Sequence, residues 1–536
     1  MTINTASSAS KLKNKPIIWT ISGADCSGGA GIAADIKTAH NLKVEICHLI
    51  TANTVQNSTR LLAINPVNVS ILAEQSQALR FDKAPSVIKI GLIANRGQIS
   101  WLVVMLSALK QQLPHLLIVY DPVGQASVGG GLSTLTTADL TPLMPLLDVI
   151  TPNLIEAKQL TPLSAKSQGD NMHNMAENIL QLGCKAVIIK GGHADTKTSL
   201  ETASTCTDIC LQGFSATSQQ LFTLQSPKIN TSYSHGGGCS FASALACFLA
   251  HGYLLRDAFT LTKAFINQGL SLSAELSSDE NDSEANFDQE NNGKNKDYYG
   301  AFQQSSWPKK SRYFPSVISP YIQQIQSSAD FLSLNLTEGE KLGLYPVIDS
   351  LSWLERLLPL NLKIIQLRIK HKKPAELAAI IKKAVAMARD YKCRLFINDH
   401  WQLAIKFGAY GVHIGQEDLA SADLSAIAKA GLRLGISTHG CYEFLLAKQL
   451  QPSYLAIGAI FATKTKDMTG QIQGLANLRQ IITLAETIPI VAIGGINQQR
   501  LERVWRTGVN AVAVVTAITA ADHPIIATKT LQAMLT

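Results

Sequence analysis

Two glycine-rich turns in the first half of this 536-residue chain have the composition and spacing to handle an anion. The first, Ser22-Gly23-Ala24-Asp25-Cys26-Ser27-Gly28-Gly29-Ala30-Gly31, follows the apolar run IIWTIS and leads into a helical stretch from Ile32 to Leu42. It is not a Walker A loop, because no GK[ST] follows. The second, His235-Gly236-Gly237-Gly238-Cys239-Ser240, opens the helical FASALACFLAHG. Free N–H groups at a helix start attract negative charge, so Gly236 and Gly238 read as part of an anion hole for a transferring phosphoryl group. Cys239 falls at the positive end of that helix, which would lower its thiol pKa; taken in isolation, a small buried cysteine fits the position better. Polar residues end the strands in between: Asp121 in DPV, Asn153 and Glu156 one helical turn apart in TPNLIE, and Lys190 in KGGH. Acidic groups for Mg²⁺-bound water, a lysine and an anion hole are what phosphoryl transfer requires.

In the second half, polar residues recur at the ends of successive apolar runs. They are Gln366-Leu367-Arg368-Ile369-Lys370, Asn398-Asp399, Gly415-Gln416-Glu417-Asp418, Ser437-Thr438-His439, Thr463-Lys464-Thr465-Lys466, Gly494-Gly495 and Val515-Thr516. Each alone suits a loop charge, a turn or a cap. At one end of successive strands they suit chemistry: two carboxylates for a hard divalent cation, Arg and Lys for a diphosphate, glycines for a phosphate monoester. No Cys-His or Ser-His pair points to a protein nucleophile.

The elements that must carry these groups are α/β. Ahead of residue 275, runs such as SVIKIGLI, LLIVYDPV and AVIIKGG alternate with helical stretches, the rhythm of a wound α/β sheet. Beyond residue 340, the eight runs LGLYPVI, IIQLR, RLFIND, GVHIG, RLGIST, YLAIGAI, PIVAIGG and AVAVVTAI predict a compact (β/α)8 TIM barrel. Between them SSDENDSEANFDQENNGKNKDYYG is acidic and poor in aliphatics. It reads as a solvated linker, giving a first domain over 16–274, a connecting segment over 275–340 and a barrel over 341–536. The hydrophobic fraction of 46% with 16% charged residues excludes general disorder. A net charge of +8 on scattered Lys and Arg forms no nucleic-acid-binding arm. Nine cysteines without a CxxC pair favour a reducing cytoplasm, and the absence of a leader-like or 18-residue apolar stretch implies neither export nor a membrane span. A homo-oligomer stays open.

At its glycine turns, TPNLIE and KGGH, the first half resembles the pyrimidine kinases of thiamine synthesis, members of the ribokinase-like superfamily, over Ile17 to Leu272. The resemblance implies that Asp35 and Gln56 bind an aminopyrimidine, that Gly23 and Val123 line its pocket, that Lys190 and Glu156 serve ATP and Mg²⁺, and that Cys239 is the base. It departs where Gly237 replaces Thr, Cys26 replaces Pro and Gly124 stands where Met is frequent. The second half resembles thiamine-phosphate synthases from Leu342 onward, including LGLYPVIDS, RLFINDHWQLAIK and YGVHIGQEDL. That resemblance implies that Gln366, Leu367, Arg368, Ile369, Lys370, Asn398, Ser437 and Lys466 bind a pyrimidine diphosphate and that Asp399 and Asp418 hold Mg²⁺. It assigns Thr463, Thr465, Gly495, Val515 and Thr516 to a carboxythiazole phosphate, with Arg368, Lys370 and Lys466 neutralising the departing diphosphate. Two rivals are a kinase for pyridoxine-like alcohols and a non-catalytic, phosphate-sensing barrel.

Overall fold

The computed structural model describes residues 15–57, 60–123, 135–161, 171–192, 204–215, 218–283, 300–319, 331–463 and 472–535. They fall into two compact units, Met1–Leu221 with Ser226–Pro308, and Phe222–Gln225 with Lys309–Thr536.

The first unit is built on a mixed sheet. Its strands are β1 (Ile17–Ala24), β2 (Glu45–Gln56), β3 (Leu61–Pro66), β4 (Val87–Ile90), β5 (Leu117–Tyr120), β6 (Val149–Ile150), β7 (Ala186–Ile189) and β8 (Thr205–Ser215). Spatially they run β8-β7-β6-β5-β4-β1-β2-β3. Pairing is parallel from β7 to β2 and antiparallel at β3 and β8. Strands such as VIKI and AVII are buried along their whole length, as parallel strands covered on both faces must be. The helix Gly237–Ala250 is apolar all round and buried from Ser240 to Leu249, so it forms part of the core. Strands β9 (Ser218–Pro227) and β10 (Ser316–Ile318) complete the set ahead of the barrel.

The expected connecting segment, 275–340, includes described residues at both ends. The helix Leu255–Ser283 runs past residue 274. Beyond residue 299 the chain returns to the first unit: His235 N donates to Gly300 O at 3.0 Å, and Phe302 N to His235 O at 2.9 Å. Gln304 donates to Ala34 O and to Ser240 Oγ, both at 3.0 Å, and Trp307 stands edge-on to Phe248 at 4.9 Å. Phe302 and Trp307 supply the apolar surface that the acidic stretch lacks. Further on, Leu334 is buried in the core of the second unit.

That unit is a closed, all-parallel barrel of β11 (Gly343–Ile348), β12 (Ile364–Leu367), β13 (Arg394–Asn398), β14 (Gly411–Ile414), β15 (Arg433–Thr438), β16 (Tyr454–Ile457), β17 (Ile490–Ile493) and β18 (Ala511–Val514). All eight expected runs supply a strand. Tyr345, Phe396 and Tyr454 fill the interior, with Phe396 and Tyr454 edge-to-face at 5.0 Å. Among the described residues no helix is long and apolar enough to cross a membrane.

Candidate active site

In an open α/β sheet, ligands collect at the carboxyl ends of the strands flanking a reversal of strand order. The reversal here falls between β1 and β4, so the turn after β1 borders the crevice. In that turn Asp25 accepts from Gly29 N at 3.2 Å and Ala30 N at 2.9 Å, and pairs with His235 Nε2 at 2.8 Å. Burial works against the Asp25 carboxylate, but the bonds from His235 and Ser27 outweigh it and hold the group well below the usual carboxylate range. The two glycine turns are thereby tied together. Gly236 has φ +82°, and a Cβ there would lie 1.9 Å from Gly29 O, so only glycine permits this approach.

Lys190 reaches the helix start that follows, its Nζ standing 3.8 Å from where a Gly238 Cβ would be. Asp121 holds that ammonium at 2.9 Å and also accepts from Thr151 Oγ1 at 3.1 Å. Asp121, Lys190 and the turn of Gly236 and Gly238 therefore lie together. Cys239 lies in the same turn, and the expected lowering of its pKa is overturned. Burial pushes the thiol up to about 11, with Lys89 pulling down and Asp121 and Asp35 pushing up.

Asp35, expected to help bind an aminopyrimidine, is held by protein groups. Its carboxylate is fully buried and takes Lys89 Nζ on both oxygens at 2.9 Å, plus Thr20 Oγ1 and Ser243 Oγ at 2.5 Å. No acceptor is left to read a ring. Asn153 and Glu156 cap the helix Leu154–Leu160 reciprocally, at 2.9 and 2.8 Å, which commits one Glu156 oxygen to backbone. Gly23 packs against Leu92, which clusters with Ala52 and Val123, so Gly23 and Val123 do border one apolar patch. The Gln56 side chain bonds Asp25 at the edge of the same crevice. Gly124 and His193 lie outside the described residues.

In the barrel the carboxyl ends of the strands bring most of the expected groups together. Asn398 Nδ2 bonds Asp399, which has φ +61° directly after β13. Burial and the neighbouring Asp418 push the Asp399 carboxyl up, and Arg368 only partly offsets them. Arg368 also acts on His413, whose imidazole burial drives down to about 3. Neutral His413 bridges Tyr454 Oη through Nδ1 and Ser437 Oγ through Nε2, each at 2.8 Å. Tyr454 meets Tyr345 Oη at 2.8 Å, and Gln366 bonds both tyrosines. Gln416 donates to Ser437 O at 2.7 Å. Leu367 and Ile369 are buried apolar side chains that alternate away from Gln366 and Arg368, so only their backbone is available to a ligand. Lys370 and Thr516 are exposed, and Thr463, Gly495 and Val515 half-buried, at the same strand ends. Thr465 and Lys466 lie outside the described residues.

The family description "Thiamine monophosphate synthase" matches residues 344–518, and "Phosphomethylpyrimidine kinase" matches residues 25–283. Thiamine-phosphate synthase of Yersinia pestis (strain Pestoides F) is 55% identical over 183 residues, 34% of this chain and 85% of that protein. The chain belongs to the thiamine-phosphate synthase family, with a phosphomethylpyrimidine kinase domain ahead of the barrel. A solved phosphomethylpyrimidine kinase from Clostridium difficile 630 is 31% identical, covering 47% of this chain and 99% of that one, with a TM-score of 0.38. The pyridoxal kinase from Staphylococcus aureus, in complex with pyridoxal, is 27% identical over 48% of this chain and 88% of that one, with a TM-score of 0.41. The kinase family implies use of ATP.

In the synthase unit sequence reasoning missed His413, Tyr454 and Tyr345. Their signal was faint but present: each is a polar-tipped residue inside an otherwise apolar strand, GVHI, YLAI and GLYPVI. In the kinase unit it missed Lys89 within VIKI, a fully buried cation, and Asp25, read only as part of a turn.

Proposed function

We propose that the kinase unit phosphorylates hydroxymethylpyrimidine to its monophosphate and then to its diphosphate, and that the barrel joins the diphosphate to a thiazole phosphate. The observation that carries this reading is the convergence at the barrel mouth of Arg368, Asn398, Asp399, Asp418 and Ser437 above the chain of His413, Tyr454 and Tyr345.

In the kinase, Lys190 steadied by Asp121 and the N–H groups after Gly236 would neutralise the phosphoryl group in flight. The patch of Gly23, Ala52, Leu92 and Val123 would hold the ring, with Gln56 at its edge. Cys239 would take the substrate hydroxyl's proton as the phosphoryl group transfers, which needs its thiolate, the form that Lys89 favours. Asp35 holds Lys89 in place.

In the synthase, Gln366, His413 and Ser437 would orient the pyrimidine, His413 staying neutral so that it can accept as well as donate. Arg368 and Lys370, joined by Lys466 on the family resemblance, would bind the diphosphate. A half-buried and an exposed carboxylate that repel one another are a donor set suited to a hard cation, so Asp399 and Asp418 would hold Mg²⁺, which would supply positive charge to the leaving group. The bond from the pyrimidine methylene carbon to the diphosphate oxygen breaks, and the thiazole nitrogen forms the new C–N bond. A carboxylated thiazole then loses CO₂ to restore aromaticity.

Asp399→Ala should cut thiamine phosphate formation from supplied pyrimidine diphosphate by at least about 100-fold while leaving kinase turnover unchanged. Near-normal synthesis by this variant at ordinary Mg²⁺ would sink the assignment, and a parallel fall in kinase activity would mark misfolding.

A further inference from the structure

Arg500 is the third residue of the helix Gln498–Trp505, which begins just beyond the carboxyl end of β17. The cap residue Asn497 accepts from Arg500 N through its side chain at 3.2 Å, which fixes where the arginine leaves the helix. A cation in a helix's first turn opposes the positive end of the helix dipole, and this turn holds no acidic residue to offset it. Among the described residues no carboxylate pairs with Arg500. Its guanidinium lies 4.8 Å from the Phe461 ring centroid and donates through Nη1 to Gly495 O at 2.7 Å. One N–H of a five-donor fork is used in this way.

The guanidinium therefore sits where the loops after β16 and β17 meet. Gly495 has φ +64°, and a Cβ there would stand 2.5 Å from Ala462 O and 2.7 Å from Phe461 O. The described groups read as facing the thiazole phosphate, namely Thr463, Gly495, Val515 and Thr516, are all uncharged. A phosphate monoester is close to a dianion at neutral pH, and a planar guanidinium is the side chain best matched to it.

We propose that Arg500 is a substrate-binding residue of the synthase that takes the phosphate of the thiazole partner. The assignment rests on the reading above that places this phosphate at the loops after β16, β17 and β18. It accounts for an arginine kept against the helix dipole with no acidic partner.

The test compares Arg500→Gln with the parent chain, using thiazole phosphate and the same thiazole lacking its phosphate. KM for thiazole phosphate should rise about 10- to 100-fold. KM for the pyrimidine diphosphate and the weak binding of the unphosphorylated thiazole should stay within about 3-fold, since a phosphate contact is absent from both comparisons. Arg500→Lys, which keeps a charge without the fork, should show a smaller rise and serves if the Gln variant does not fold. Equal losses for the phosphorylated and unphosphorylated thiazoles would make Arg500 a brace for Gly495 only, and overturn the proposal. Thr516→Val separates the two levels. If it raises KM for thiazole phosphate and the Arg500 variants do not, the subsite stands and the role of Arg500 falls. If neither has an effect, the subsite reading itself fails.

Discussion

Gly237 occupies a position where the pyrimidine kinases it resembles usually carry Thr, and nothing in the described structure forbids the larger residue. No atom lies within 4 Å of where its Cβ would stand, and its φ is not left-handed. Gly237→Thr should therefore fold normally and add a hydroxyl donor at the helix start, raising kinase kcat by about 10-fold or more. Steady-state turnover with hydroxymethylpyrimidine checks this, and a fall would show that the site has been rebuilt around glycine. His413 gives a second expectation. Burial holds it neutral down to about pH 3, whereas a free imidazole protonates near 6.5. Between those values the unfolded chain binds more protons, so barrel stability should fall as pH drops from 6.5, by up to about 1.4 kcal/mol per pH unit. Urea unfolding of the barrel at pH 7 and 5, beside His413→Gln, measures it; the same pH slope in both proteins would contradict it. Residues at strand ends were legible because their meaning is local, a polar type where an apolar run stops. Asp35 was not, because its partner Lys89 is 54 positions away and only the fold shows its carboxylate to be saturated. Nor was the His413–Tyr454 bond, which spans 41 positions. The Cys239 thiol misled for a related reason: the helix start is visible in sequence, but the burial that outweighs it is not.

Strands were the most readable elements. Runs of Val, Ile and Leu bounded by Gly, Pro and Asp mark buried parallel strands in both units, and the eight-fold repetition after residue 340 specified a closed barrel. The reversal of strand order between β1 and β4 could not be read from composition, and it is what puts the turn after β1 at the crevice. The acidic stretch misled in the opposite direction, because its composition masks a short piece just beyond it that packs. Residues 300–308 return to the kinase unit through Phe302, Gln304 and Trp307, and Gln268 Nε2 donates to Ser306 O at 2.8 Å. A kinase fragment ending at residue 275 should accordingly melt well below one ending at 308, by about 5 °C or more, since losing one large aromatic contact alone costs kcal/mol-scale stability. Thermal unfolding of the two fragments tests this directly. Equal melting temperatures would mean that the returning segment only decorates the unit.

At the scale of the whole chain, two folds with no common architecture carry chemistries that share an intermediate. The kinase domain ends with a phosphorylated pyrimidine, and the thiamine-phosphate synthase barrel, in our reading, begins with its diphosphate. Covalent linkage makes sense of the pairing without requiring any particular arrangement of the units. It also discriminates against the rival readings: a kinase for pyridoxine-like alcohols would make nothing the barrel consumes, and a phosphate-sensing barrel would have no use for Asp399 and Asp418 beside Arg368. The most direct measurement supplies the intact chain with hydroxymethylpyrimidine, ATP, Mg²⁺ and thiazole phosphate and follows thiamine phosphate by mass. Our account predicts that thiamine phosphate accumulates from these starting materials with no added enzyme. Formation only when pyrimidine diphosphate is supplied, or none at all, would contradict it.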